Sequence, residues 1–455
     1  MFIGREKELR TLRDSMARSG CASMVYGKRK VGKTTLIQEA AKRSSKVCFY
    51  YECVKTSFRD NLAFMEEEMA HQGILPDGIS FAGFPQLFAF LNTLPQELIF
   101  IIDEYPYLKA FDEPQTVDSI FQKIIDNSLK NIHLVLSGSH IGMMKELLEE
   151  GNPLFSRFTA VIRLQEMDYR EASAFYPARS AYDKAAFFSV FGGSPFVNAQ
   201  LAADASLKEN ILRLILDPGS IVRFYAENML LSEFSSRMNF ERILSAIGNG
   251  KKHYREIEAI ANTERNGNLT RQLKLLTDMD VLKKEAPINR ENDSKKATYT
   301  ISDNLLRFYY TYLYRGRGTL QMVGPERYYE EYIRPTLTAY TSRRFEEICR
   351  MYFIRAAKSG ALTGVRNIGS YYYDDPARKK NGEFDIAIEY SDGYGIWEAK
   401  YYKGKMEPDE IHRELAQIRE IPLGRIIETG FLSVNGFAEQ VPGARYLTGE
   451  DLYSP

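Results

Sequence analysis

The chain has 455 residues, 44% hydrophobic and 26% charged, with 60 Lys+Arg balancing 60 Asp+Glu. That length exceeds what one hydrophobic core organises, and the composition excludes disordered and fibrous classes, so two or three folded domains are expected. A net charge of zero excludes a global field that would draw the chain to nucleic acid or membrane, leaving such contacts to local patches.

The N-terminus, MFIGREKELRTLRDSM, is charged within a few residues, and no later apolar run approaches the roughly 18 residues of a membrane span. Cys21, Cys48, Cys53 and Cys349 lack CxxC spacing and any paired framework, which fits buried thiols in a reducing compartment. A cytoplasmic chain without a membrane segment is the expectation.

Through residue 165, β-rich runs alternate with helical patterns, the signature of a parallel sheet covered by helices. The predicted strands are Ala22–Tyr26, Val47–Cys53, Leu98–Ile102, His133–Ser137 and Thr159–Leu164. Residues 166–234 read as a helical lid broken by Gly192, Gly193, Pro195, Asp217, Pro218 and Gly219. Residues 235–305 read as a winged helix-turn-helix, in which the polar run Pro287–Lys296 is a solvated wing loop between two short strands. The aromatic stretch LLRFYYTYLYR, followed by Gly316 and Gly318, reads as a connector into a last α/β domain, residues 306–455. That domain shows a helix around Phe345–Tyr352, strands at Glu383–Tyr390 and Tyr394–Ala399, and a polar helix at Pro408–Ile421.

The segment Gly27-Lys28-Arg29-Lys30-Val31-Gly32-Lys33-Thr34 matches GxxxxGK[ST] between an apolar strand and a helical run that starts with Thr35. Glycines let backbone N–H groups turn inward around a polyphosphate, and the helix N-terminus adds positive charge. Lys33 then reaches the β/γ oxygens and Thr34 ligates Mg²⁺, making ATP and Mg²⁺ the expected cofactors. The strand LIFIID ends in Asp103 and Glu104, where ligands of open parallel sheets bind. Asp103 is the Mg²⁺-side carboxylate and Glu104 the residue that polarises the attacking water, although an Asp-Glu pair can equally cap a helix. Ser137 or Ser139, in LVLSGSH, is placed to bind the γ-phosphate or water. Arg157, in NPLFSRF, is either a cationic finger or a surface ion pair.

Taken together, the FIGREKEL box, the P-loop, IIDEY, SGS, PLFSRF and GGSPF resemble the AAA+/STAND-like archaeal-type prokaryotic ATPases over most of the chain. The resemblance places Phe2, Gly4 and Arg5 beside the adenine, the alternative being a helix start with a capping glycine.

Residues 242–296 hold 12 Lys/Arg against 8 Asp/Glu. In the segment NLTRQLK, Leu269, Leu273 and Leu276 are expected inward and Arg271, Gln272 and Lys274 outward, as on a DNA recognition helix. A protein-binding spacer is the competing reading, so the expected partners are ATP/ADP and DNA, with an unknown protein as the alternative.

In the last domain, Asp385 on one strand and Glu398 with Lys400 on the next bring carboxylates and an amine together, with helical Glu346 upstream. This resembles the PD-(D/E)xK nuclease superfamily and the C-terminal domain of unknown function that accompanies such ATPases. The resemblance implies Mg²⁺ on Asp385 and Glu398 with Lys400 and Glu346 completing the site, or else a degenerate fold used for binding. Ala399 stands where Cys is usual, and Phe384 precedes Asp385. The overall expectation is α/β: a P-loop NTPase sheet with a helical lid, a winged helix, and a small restriction-endonuclease-like domain.

Overall fold

The computed structural model describes residues 2–111, 114–229, 237–261, 268–376, 379–420 and 424–454. The predicted end of the lid, at the boundary between residues 234 and 235, and Ile421 lie outside the described residues. Two compact units emerge, Met1–Met167 with Ser194–Phe196, and Asp168–Gly193 with Val197–Pro455.

Five strands build the first unit: β1 (Cys21–Tyr26), β2 (Val47–Glu52), β3 (Leu98–Asp103), β4 (Ile132–Gly138) and β5 (Phe158–Arg163). They pair in the order β2-β3-β4-β1-β5, every pair parallel. The central strands β3 and β4 are buried at every position, as the continuous apolar runs require, whereas edge strand β2 exposes Val47. Side-chain alternation splits the core: Val25, Ile101 and Val135 join Leu36 and Ile37 of the Lys33–Lys42 helix. Met24, Phe100 and Leu136 face the opposite cluster with Phe88 and Phe121.

Under this sheet runs a buried polar chain that no motif announces. His133 is fully buried, with Nδ1 2.9 Å from the Arg18 carbonyl and Nε2 2.9 Å from Ser23 Oγ. Ser23 Oγ lies 2.7 Å from Ser15 Oγ, which lies 3.1 Å from Thr159 Oγ1. The Arg18 carbonyl can only accept, so Nδ1 carries the proton and Nε2 accepts from Ser23.

In the second unit, helices Arg237–Gly248, Tyr254–Ala261 and Asn268–Asp278 precede the antiparallel pair β6 (Leu282–Glu285) and β7 (Thr298–Ile301). Beyond them stands a second sheet in the order β12-β11-β10-β9-β8. Its strands are β8 (Val365–Asp375), β9 (Lys380–Tyr390), β10 (Tyr394–Lys400), β11 (Ile426–Ser433) and β12 (Arg445–Thr448). β8, β11 and β12 were not expected from the sequence, and the predicted Phe345–Tyr352 helix extends over Arg334–Ser359.

Three expectations are corrected here. The β6–β7 loop is not simply solvated: Ile288 is buried among Tyr371, Phe384 and Ala387, and the Asn289 amide exchanges hydrogen bonds of 2.7 and 3.0 Å with the Tyr372 backbone. Lys296 also lies over the Tyr372 ring at 3.7 Å. The cause is the edge strand β8, whose unpaired backbone groups need covering. Gln272 is buried rather than outward, because it sits with Leu269, Leu273 and Leu276 at i, i+3, i+4 and i+7 spacing. The aromatic stretch is core rather than connector, since Leu305, Phe308, Tyr309, Tyr310 and Leu313 are all buried.

Burial pulls the His133 imidazole from 6.5 down to about 4. As pH falls through that window the unfolded chain takes up the proton first, so stability is full above about pH 6.5 and lost toward pH 4. The expected contribution is on the order of 3 kcal/mol, judged from the shift and its 1.36 kcal/mol per unit. In urea unfolding of the first unit, His133→Asn is expected to shrink the stability difference between about pH 7 and 4.5 by about 2 kcal/mol. An unchanged pH slope would show that His133 does not carry it.

Candidate nucleotide and carboxylate sites

The loop between β1 and the Lys33–Lys42 helix is shaped by backbone that side chains resist. Gly27 has φ 158°, and a Cβ there would stand 2.0 Å from the Leu164 carbonyl oxygen. Gly32 at φ 93° and Lys30 at φ 65° supply the left-handed turns. Val31 anchors the loop in the core, with Phe2 packed against the same cluster. Lys28 is half-buried, while Arg29, Lys30 and Thr35 are exposed. Gly4 and Arg5 are both left-handed ahead of the Glu6–Met16 helix, and buried Arg5 donates to the Gln165 carbonyl.

Lys33 Nζ donates to the Gly27 and Lys28 carbonyls at 3.0 Å each. Thr34 Oγ1 donates to Asp103 Oδ2 at 2.6 Å, and Tyr50 donates to the same oxygen at 2.9 Å. Burial and then Asp103 push the Tyr50 phenol up. Ser137 occupies the position on β4 next to β1 Val25, fully buried with a hydroxyl that has no hydrogen-bond partner among the described residues. Glu104 sits in left-handed backbone at φ 52°, a conformation that costs a non-glycine residue roughly 1–3 kcal/mol and gathers at functional sites. Its carboxylate accepts from Ser139 N–H at 3.1 Å and Ser139 Oγ at 2.8 Å.

Arg29 of the loop donates to Tyr107 OH at 2.5 Å and to Ser139 Oγ at 3.4 Å. Tyr50 and Tyr107 escaped the sequence reading; the only signal was the tyrosine-rich flank of IIDEYPY and the register of β2 beside β3. Arg157 is placed as an ion pair, forking on Asp126 at 2.9 and 3.1 Å. These donors fit Mg²⁺ with a polyphosphate: a hydroxyl and a carboxylate already converge, and a buried orphan hydroxyl stands in the strand between β1 and β3.

In the second unit, β9 and β10 pair with Trp397 opposite Ile386, which sets Glu398 and Asp385 one step beyond the ladder. Burial, then Asp385, push Glu346 up to about 7. Burial pushes Glu398 up to about 7 against the pull of Lys400, with Glu414 and Asp385 adding to the rise. Asp385 is exposed yet surrounded by protein, and that desolvation raises it despite Arg350. Lys400 is fastened to Glu414 at 2.9 Å, with Glu398 at 3.7 Å and Glu410 at 3.9 Å. Glu347 behaves in the opposite way, because Arg307 and Arg344 overcome the effect of burial and hold it at about 2. Among the described residues no group of three His, Cys, Asp or Glu side chains is arranged to hold a metal ion. Asp385 acts as a repelling neighbour on both Glu346 and Glu398, in addition to the larger effect of burial. Arg271 and Lys274 are exposed on the Asn268–Asp278 helix.

Residues 2–197 match the family described as an ATPase domain predominantly from Archaea. The chain carries an archaeal-type P-loop ATPase domain. Residues 309–412 match a second family, described as archaeal and bacterial proteins of unknown function. An uncharacterized protein of Methanocaldococcus jannaschii is 27% identical over 369 residues, 80% of this chain and 79% of that one. In fold, the Walker-type ATPase of Pyrococcus abyssi matches with TM-score 0.50 and 17% identity, over 68% of this chain and 96% of the other. The Aeropyrum pernix ORC2 protein aligns at TM-score 0.45 and 15% identity, over 70% of this chain and 95% of that one. Among the described residues no helix is long and apolar enough to cross a membrane.

Gly27→Ala is expected to leave the circular dichroism spectrum intact while lowering ATP affinity at least about tenfold, because the loop must open away from Leu164. Arg157→Ala should leave ATP turnover within about twofold, since the guanidinium is spent on an exposed ion pair.

Proposed function

We propose that this chain is an ATP-binding, Mg²⁺-dependent ATPase whose nucleotide state acts on a DNA-facing C-terminal half, with a metal-dependent nuclease site at Asp385, Glu398, Glu346 and Lys400. The observation that carries the ATPase reading is the direct contact of Thr34 with Asp103 beside the orphan Ser137 hydroxyl, with Glu104 one residue on. Thr34 and Asp103 would hold the ion, which when bound neutralises charge on the phosphates. Lys33 turns from the Gly27 and Lys28 carbonyls to phosphate oxygens, and Ser137 donates to phosphate or water. Glu104 orients the attacking water and accepts its hydrogen bond after leaving Ser139.

Coupling has a covalent route. Ser194–Phe196 belong with the first unit, and Ser194 Oγ donates to the Lys30 carbonyl at 3.1 Å while Lys30 lies over Phe196 at 4.6 Å. Their chain neighbours Gly193 and Val197 belong to the second unit. A nucleotide that moves the loop at Lys30 thus pulls on the chain of the second unit.

DNA contact falls to exposed Arg271 and Lys274, with Gln272 withdrawn to the core. Within the carboxylate site, Asp385 and Glu398 would take the ion, and Lys400 would steady a phosphate oxygen. A second reading, a non-cleaving ATP-driven switch for DNA or a protein partner, is favoured by the anchoring of Lys400 on Glu414.

Lys33→Ala is expected to abolish the calorimetric signal with ATP, and Glu104→Gln to keep it while slowing hydrolysis at least about tenfold. Equal hydrolysis in Glu104→Gln and wild type removes Glu104 from its role. Labelled DNA should be nicked by wild type in Mg²⁺ and spared by the double variant Asp385→Ala/Glu398→Ala. Uncut DNA with ATP, with ADP and without nucleotide leaves the switch reading in place.

A further inference from the structure

The second unit contains a cleft of about 490 Å³ that neither the ATPase nor the carboxylate site uses. Its cations are Lys252, Arg307, Arg343 and Arg344, its rings Tyr299, Tyr312, Tyr332 and Tyr340, and among the described residues no carboxylate lines it. Glu347 sits behind it and binds Arg307 through both oxygens at 3.0 Å, which offsets one of the four charges. Arg344 reaches Glu347 with Nη2 at 3.2 Å, yet its Nε is buried without a hydrogen-bond partner. Arg343 and Lys252 are exposed, and neither makes an ion pair among the described residues. Four cations in one cleft, one of them with an unmet guanidinium N–H, suit an anion, and an anion bonded bidentately by arginine is a carboxylate or a phosphate.

The aromatic residues narrow the choice. Tyr332 is 47% exposed and stacks on Tyr328 at 4.9 Å, so it presents a ring to solvent beside the cations. Tyr312 and Tyr340 meet edge to face at 5.6 Å, and Tyr312 OH lies 3.0 Å from Thr336 Oγ1. Aromatic faces beside basic groups are how unpaired bases and their phosphates are held together.

The backbone adds an independent sign. The described residues contain π-type turns at Leu212–Leu216, Tyr309–Leu313 and Tyr329–Ile333. The second supplies Thr311 and Tyr312 to this cleft and the third supplies Tyr332. Such turns are rare and frequent at functional sites, and two of the three named contribute to this cleft.

We propose that this cleft is a second phosphate site in the chain, which binds a nucleotide through its phosphate on Arg343, Arg344 and Lys252 and stacks its base on Tyr332. The nucleotide is either free or one unit of a single strand. The latter source rests on the DNA-facing reading of the second unit; the site itself needs no cleavage.

The test uses the full chain carrying Lys33→Ala, in EDTA, so that neither the P-loop nor metal chemistry contributes. Fluorescence anisotropy is read with a labelled single-stranded oligonucleotide and, separately, with a labelled mononucleotide. Binding of either probe is expected, weakened at least about tenfold by Arg343→Glu/Lys252→Glu and several-fold by Tyr332→Ala, with thermal midpoints held within a few degrees. Oligonucleotide binding with a salt slope that falls in the charge-reversed variant supports the strand; mononucleotide binding that the oligonucleotide fails to displace supports the free ligand. Absence of binding by both probes, equal affinity in all variants, or inorganic phosphate competing as well as nucleotide would overturn the proposal. Failure to nick DNA leaves this outcome untouched, so the two readings fail separately.

Discussion

A single short contact organises the first unit: Thr34 at the start of the helix after the loop donates to Asp103 at the end of β3, 2.6 Å away. For that bond to exist, β1 and β3 must end at the same level with β4 between them, and the loop must turn back sharply enough to start a helix above them. The strand order β2-β3-β4-β1-β5 provides the first condition and the left-handed turns at Lys30 and Gly32 the second. Buried β3 and β4 fix Asp103 and Ser137 so firmly that the polar ends of these strands have few places to go. Tyr50 adds a second donor to Asp103, so one carboxylate oxygen ties β2, β3 and the helix together.

Around that contact, charged side chains rest on partners within the same unit that a ligand could replace. Lys33 rests on two carbonyls of its own loop, and Glu104 rests on Ser139. Arg29 touches the same serine, so the loop and the carboxylate share one hydroxyl as an intermediary. Glu104 spends conformational energy to stand there, in backbone that Asn or Gly would adopt more readily. A polyphosphate that recruits Arg29 therefore changes the partner set of Ser139, and with it the freedom of Glu104.

How much of this was legible depends on whether a residue's role is set locally. The five strands of the first sheet and the loop at Gly27–Thr34 were legible, because continuous apolar runs and backbone-demanding glycines leave a local imprint. Gln272 misled because it is polar on an apolar stripe, and its place at i+3 from Leu269 outweighed its chemistry. The wing loop misled for a longer-range reason. Its polar residues imply solvent, but Ile288 and Asn289 answer to β8, a strand more than seventy residues later in the chain that carries no clear local pattern of its own. Tyr50 and Tyr107 carry no motif and acquire meaning only from the register that sets them beside Asp103 and Arg29.

The zero net charge that excluded a global field turns out to be an average over opposed local ones. In the second unit, burial raises the proton affinities of Glu346, Asp385 and Glu398, with Asp385 adding to the rise of the other two, while Arg344 acts on Glu346 and Lys252 on Asp385 from the cationic side. Such an arrangement is unstable as packing alone, since apolar residues of similar volume would avoid the desolvation of both signs. A phosphate bound on the cations, as proposed for the cleft, would offset part of that cost on the cationic side.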